Sequence, residues 1–108
     1  MTEGTYQVFW THTAQQDLRK IIDYIAADSE SQARSVYLAI KQKAEDLWQM
    51  PLQGRIVPEL RHYVILNYRE LLNQPWRIIY RTEEYKVWVF AVIDGRRNVE
   101  DILLDRFI

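Results

Sequence analysis

The sequence contains no cysteine, which excludes disulfides, thiolate metal ligands and a cysteine nucleophile. Glycine and proline occur three times each, too few for long irregular connections. There are two histidines, His12 and His62, isolated from one another and outside any histidine-rich metal pattern, so both are expected at the surface. No apolar run approaches the roughly 18 to 20 residues that span a bilayer, and no membrane association is expected. The opening MTEGTYQVFW has no basic segment followed by an apolar one, so it does not read as a signal peptide, and the cytoplasm is the expected location. The glycine patterns of phosphate-binding and dinucleotide-binding loops are missing, as is a G-x-S-x-G elbow. No cofactor and no metal are expected.

What the chain does have is apolar material. Of its 108 residues 48% are hydrophobic and 13% aromatic, with four Trp and seven Tyr, enough for one well-packed domain over residues 1–108 and far from a disordered composition. Net charge is −1, so composition alone gives no nucleic-acid footprint. The charges are unevenly placed. Met1 to Gly54 carries five Lys/Arg against seven Asp/Glu, and the remainder carries nine against eight. Most of the arginines lie in that second part, where Lys86 is the only lysine.

Periodicity divides the chain in the same way. Tyr6 to Trp10 alternates aromatic and β-branched residues and predicts a first strand. Thr11 or Thr13 can cap a helix whose apolar positions are Ala14, Leu18, Ile21, Ile22 and Ile25, ending near Ala27. Asp28-Ser29 supplies a turn and the next cap. A second helix, about Ser31 to Gln49, presents Ala33, Val36, Tyr37, Ile40, Ala44, Leu47 and Trp48. The connection of about three residues makes the two helices an antiparallel hairpin, and neither stripe is buried without a sheet beneath it. Arg55 to Val57 reads as the start of an edge strand interrupted by Pro58. Tyr63 to Leu72 is rich in β-formers without a clear register. Trp76 to Arg81 and Lys86 to Ile93 are strands, the second apolar on both faces and so covered on both sides. Asn98 to Phe107 has helical spacing. The order β-α-α-β-β-β-α predicts an α+β fold, a mostly antiparallel sheet of about four strands with the hairpin on one face and a short C-terminal helix.

The arginines are the chemical signal. Arg77 and Arg81 are four apart on one strand and share a face. Arg69 comes from the neighbouring stretch YREL, Arg96 and Arg97 from the turn VIDGRRN, and Arg55 from the segment after the hairpin. If their strands are adjacent, several guanidinium groups converge at one sheet edge, where their planar forks suit phosphate or carboxylate. The alternative is that they are solvated, or paired with Glu70, Glu83 or Asp94; Asp94-Gly95 is a turn dipeptide in its own right.

These elements resemble the RelE/ParE family of toxins from bacterial toxin–antitoxin modules, also called plasmid stabilisation proteins. The matching pieces occur in order: A-x-x-DL-x-x-I-x-x-YIA from Ala14, P-x-x-GR from Pro51, VPEL from Val57, YREL from Tyr68, WRIIYR from Trp76 and VWVFAVIDGRR from Val87. The resemblance spans nearly the whole chain and implies the fold just described. It implies a cognate antitoxin that wraps the toxin, with a homodimer or a toxin–antitoxin heterotetramer as the assembly. It also implies one of two activities. RelE-like members cleave mRNA on the ribosome; ParE-like members bind and poison DNA gyrase. RNA cleavage needs proton transfer, for which arginine is a poor base because its pKa exceeds about 12. The segment after Arg97, NVEDILLDRFI, offers no Tyr or His. Tyr80, Glu70 and Asp94 are the remaining bases, and Tyr80 is expected to point away from Arg77 and Arg81. The ParE-like reading is therefore preferred, with Arg69, Arg77, Arg81, Arg96 and Arg97 as target-binding candidates. A protein-binding module without toxicity is the third reading. Ile102, Leu103, Leu104, Phe107 and Ile108 crowd the C-terminus and are the antitoxin-binding candidates, unless they complete the core.

Overall fold

The computed structural model describes residues 5–107. Strand β1 (Gln7–Trp10) leads into helix α1 (His12–Ala26). Thr11 caps α1 by accepting from the Ala14 amide at 3.1 Å. Helix α2 (Glu30–Glu45) begins at Ser29, whose hydroxyl accepts from the Gln32 amide at 3.2 Å. Glu30 in its first turn and Lys43 in its last complement the helix dipole. The regular helix stops at Glu45, short of the expected Gln49, and tightens into a 3-10 turn over Asp46–Trp48. Of the expected apolar face, Ala33, Ile40, Ala44 and Leu47 are buried. Tyr37 and Trp48 are exposed, because the hairpin stripe is narrower than the run of apolar residues.

Strand β2 (Arg55–Ile56) and the single helical turn α3 (Pro58–Arg61) follow, then β3 (Arg69–Asn73), β4 (Trp76–Glu83), β5 (Lys86–Asp94) and helix α4 (Val99–Phe107). The sheet has five strands in the order β1-β5-β4-β3-β2, one more than expected, because the two-residue β2 pairs with β3. Every pairing is antiparallel except β1 with β5. The β-rich stretch from Tyr63 becomes a strand only at Arg69. Before that, Val64 takes a left-handed φ of 62° as the chain leaves α3, and the Leu60 carbonyl accepts from Tyr63 and Ile65.

Two apolar layers sandwich the sheet. The hairpin covers Leu71, Ile78, Tyr80, Val87, Val89 and Val92 on one face. Helices α3 and α4 cover Tyr68, Ile79, Ala91 and Ile93 on the other, with Val57, Leu60, Val99 and Leu103 filling between. The register of β4 with β5 pairs Ile79 with Ala91 and Tyr80 with Val89, leaving Phe90 as the extra residue of a bulge. The bulge lets Phe90 and Ala91 both serve the second layer, which explains why β5 is apolar on both sides.

One carboxylate ties the layers together. Strand β1 ends opposite Val89, so β5 runs on past its neighbour with an open edge. Asp17 of α1 accepts from the Val92 amide, past the end of β1, at 3.1 Å and forms a two-armed ion pair with Arg106 of α4 at 2.7 and 2.8 Å. This contact is also what holds the Arg106 guanidinium above its ordinary pKa. Among the described residues no helix is long and apolar enough to cross a membrane. Replacing Asp17 by Ala removes both contacts and is expected to cost about 1–2 kcal/mol. Asp17→Asn keeps an acceptor for Val92 and is expected to cost less. Chemical denaturation with hydrogen exchange at Val92 checks this; an Ala variant with wild-type stability and unchanged Val92 exchange refutes the tie.

Candidate functional site: a basic turn on a buried ion cluster

The expected convergence of arginines does not occur as a single patch. Arg69 is paired with Tyr80 across β3–β4 and lies on the hairpin side, where it donates to the Gly54 carbonyl at 2.8 Å. Arg77 and Arg81 do share the opposite face, but four residues of strand separate them by about 13 Å. Their surroundings also differ. Arg81 lies over the rings of Tyr68 and Phe90, with its guanidinium carbon 5.4 and 5.0 Å from the ring centres.

Arg77 is buried. Its Nε donates to Glu70 at 2.7 Å, and its two terminal nitrogens donate to the two oxygens of Glu59 at 2.8 and 2.6 Å. The other Glu70 oxygen accepts from Arg55 Nε at 2.5 Å. The Glu70 side chain is fully enclosed and that of Arg77 is 10% exposed. Two arginines and two carboxylates thus neutralise one another between β2, β3, β4 and α3. The Arg77 hydrogen bonds hold the Glu59 carboxyl below its ordinary 4.5, against the opposing effect of burial. Sequence reading had admitted Glu70 as a partner; Glu59 carries no signal that would find it, because α3 reaches the cluster only through the fold.

The turn after β5 rests on this cluster. A side chain at Gly95 would lie 3.2 Å from the Arg77 Cδ, so the glycine packs against the arginine stem. The Gly95 amide donates to the Pro75 carbonyl at 2.7 Å, and Asp94 accepts from the Arg96 amide at 2.9 Å and from its guanidinium at 2.9 and 2.8 Å. That guanidinium depresses the Asp94 pKa. Asn98 then caps α4 by accepting from the Asp101 amide at 3.3 Å. The result is a pinned turn that presents Arg96 and Arg97 to solvent. Arg97 has no ion-pair partner among the described residues. The tertiary structure therefore brings Arg96, Arg97 and the stem of Arg77 together, and leaves Arg69 and Arg81 elsewhere.

The three proton-transfer candidates are all engaged. Glu70 holds two arginines. Asp94 holds Arg96. Tyr80 points to the hairpin side as expected, and its hydroxyl accepts from the Gly54 amide at 2.9 Å. Burial raises the Tyr80 pKa. A Cβ at position 54 would fall 2.6 Å from the Glu70 carbonyl and 2.7 Å from the Tyr80 hydroxyl, so only glycine fits this crossing.

At the C-terminus, Leu103 is fully buried in the second apolar layer. Ile102 and Phe107 pack against that layer, and Leu104 is half-buried. Ile108 lies outside the described residues. Of the described members only Leu103 is committed to the core; Ile102, Leu104 and Phe107 remain partly exposed.

The α+β fold, a five-stranded mostly antiparallel sheet covered on both faces, matches chains solved from toxin–antitoxin systems. The fold superposes on a chain described as "Chromosomal ParDE TA system from P. aeruginosa", with a TM-score of 0.66 and 21% identity over 84% of this chain and 97% of that one. It also superposes on a chain of the RelBE2 toxin–antitoxin complex from Mycobacterium tuberculosis, with a TM-score of 0.61 and 23% identity over 83% of this chain and 91% of that one. A family model described as the ParE toxin of the type II toxin–antitoxin system parDE matches residues 8–99, and the chain belongs to that family. No curated protein matches.

Breaking the cluster tests its structural role. Glu70→Ala leaves two arginines without their shared acceptor and is expected to cost about 3–5 kcal/mol in urea unfolding. The Glu59 contribution is complete above pH 4.5, where the unfolded carboxyl is ionised. It is lost as pH falls through the lower folded value, because the unfolded state then binds the proton more readily. Stability of Glu59→Gln should therefore fall less steeply than wild type below pH 4.5; parallel profiles refute the coupling.

Proposed function

We propose that this family member is the toxin of a type II module, that a cognate antitoxin neutralises it, and that it arrests growth by binding and poisoning DNA gyrase. The observation that carries the gyrase reading is the saturation of Arg77. An arginine that stabilises charge on a cleaving phosphate must offer its fork to the substrate. Here both terminal nitrogens face Glu59 and Nε faces Glu70. The available bases are similarly occupied, which leaves RNA cleavage without its proton-transfer partner. The match to the ParE model points the same way.

In this reading Arg96 and Arg97 contact the target, and Arg77 positions their turn from beneath. Phe107, Ile102 and Leu104 form the rim available to the antitoxin, while Leu103 supports it from the core. A cytoplasmic location follows from such a target.

Expression in bacteria should arrest growth, and co-expression of the product of an adjacent small reading frame should relieve it; harmless expression of folded protein sinks the proposal. In a supercoiling assay, purified protein should trap cleaved DNA while mRNA in a translating extract stays intact. Codon-position cuts in the mRNA would instead establish the RelE-like reading. Arg96→Ala with Arg97→Ala should weaken gyrase trapping at least about tenfold with an unchanged thermal melt, and full potency in that double variant removes the turn from the target interface.

A further inference from the structure

The second face of the sheet is only partly covered. Helices α3 and α4 seal the end that holds Ile79, Ala91 and Ile93, and the cover stops at Phe107. Next along the sheet, Phe9 of β1 and Trp88 of β5 stack with ring centres 5.0 Å apart, both half-buried and outside the buried core of this layer. Tyr68, Phe90 and Phe107 continue the strip, with Tyr68 and Phe107 4.8 Å apart. Arg81 lies in the middle. It is paired with Trp88 across the strands and sits over Tyr68 and Phe90.

Arg81 differs from the enclosed and ion-paired arginines of the molecule in what it meets. Arg55, Arg77, Arg96 and Arg106 each meet a carboxylate. Half-buried Arg69 meets backbone carbonyls. Arg81 is also half-buried, yet its one hydrogen bond goes to the Tyr68 hydroxyl at 3.3 Å. A cation drawn partly out of water by aromatic rings, with no anion of its own, complements a carboxylate brought by something else. The rings around it complement apolar side chains.

Three occupants can be compared on these grounds. A nucleic-acid backbone calls for a row of cations, but Arg81 is followed along β4 only by the Glu83–Lys86 pair. A second copy docked through the same patch would set Arg81 against its own image. A different protein carrying a carboxylate among apolar side chains meets neither objection. We propose that the Phe9–Trp88–Arg81–Phe90 strip is the docking surface for such a segment of the antitoxin, with its carboxylate on Arg81. This rests on the antitoxin reading above, and it assigns Arg81 to the neutralising partner rather than to the target.

The test is calorimetric titration of the toxin with the antitoxin encoded beside it. Arg81→Glu should weaken binding by about 30-fold or more, Arg81→Lys by less, and the exposed Arg61→Glu not at all. Hydroxyl-radical footprinting should show Trp88 and Phe9 protected in the complex. If Arg81→Glu fails to fold by circular dichroism, Arg81→Gln replaces it, with about tenfold weakening expected. Affinity within about threefold of wild type for a folded Arg81 variant, or unprotected Trp88, overturns the surface while leaving the antitoxin reading intact. No binding by the wild type overturns both. A single-stranded RNA oligonucleotide that binds the wild type and is lost in Arg81→Glu, with antitoxin affinity unchanged, reassigns the strip to nucleic acid and also overturns the proposal.

Discussion

The Glu70 carboxylate lies fully enclosed with one oxygen on Arg77 and the other on Arg55, and Arg77 reaches past it to Glu59. These four side chains come from β3, β4, β2 and α3, so the charge balance exists only when those elements are in place. A buried ion of either sign alone would carry a desolvation penalty of several kcal/mol. The two-residue strand β2 and the single turn α3 are too short to hold their positions through local structure. The ion cluster gives each of them a directional anchor. The Gly54 crossing, set by Tyr80 and Arg69 from the hairpin side, fixes the same segment from the opposite face.

This frame has a functional consequence. With its nitrogens turned inward, Arg77 presents its aliphatic stem to Gly95, and the turn bearing Arg96 and Arg97 is seated on that stem. A rigid base under a short polar turn holds its exposed cations in a fixed geometry, which suits recognition of a structured partner. The same inward turn commits its Nε and both terminal nitrogens to Glu70 and Glu59. Asp17 plays the corresponding part at the far edge, where it closes the open end of β5 and fastens α4. Among the described residues Arg81 meets aromatic rings and the Tyr68 hydroxyl but no carboxylate.

Much of the fold was legible because its signals are local. The caps Thr11 and Ser29 and the spacing of Ala14, Leu18, Ile40 and Ala44 mark the hairpin directly. The alternation in Trp76 to Arg81 correctly separated Tyr80 from Arg77. Tyr63 to Tyr68 was misleading, since β-forming composition says little where the backbone must first leave a helix. The bulge at Phe90 was equally hidden, because one extra residue in a run of apolar ones leaves no mark on hydrophobicity.

The candidate site divides along the same line. The sequence by itself determined that arginine, against a single lysine, a single histidine and no cysteine, is the principal chemical group of the second half, and that DGRR forms a turn. Those are matters of composition and short-range backbone preference. Only the tertiary structure decided which arginines are free. Glu59 and Arg77 are 18 residues apart and Asp17 and Arg106 are 89 apart. Pairing over such distances depends on strand order and helix docking, which no local pattern encodes. Desolvation then makes each pairing consequential: it turns Arg77 into a structural strut, while Arg81 lies over aromatic rings with no carboxylate among the described residues.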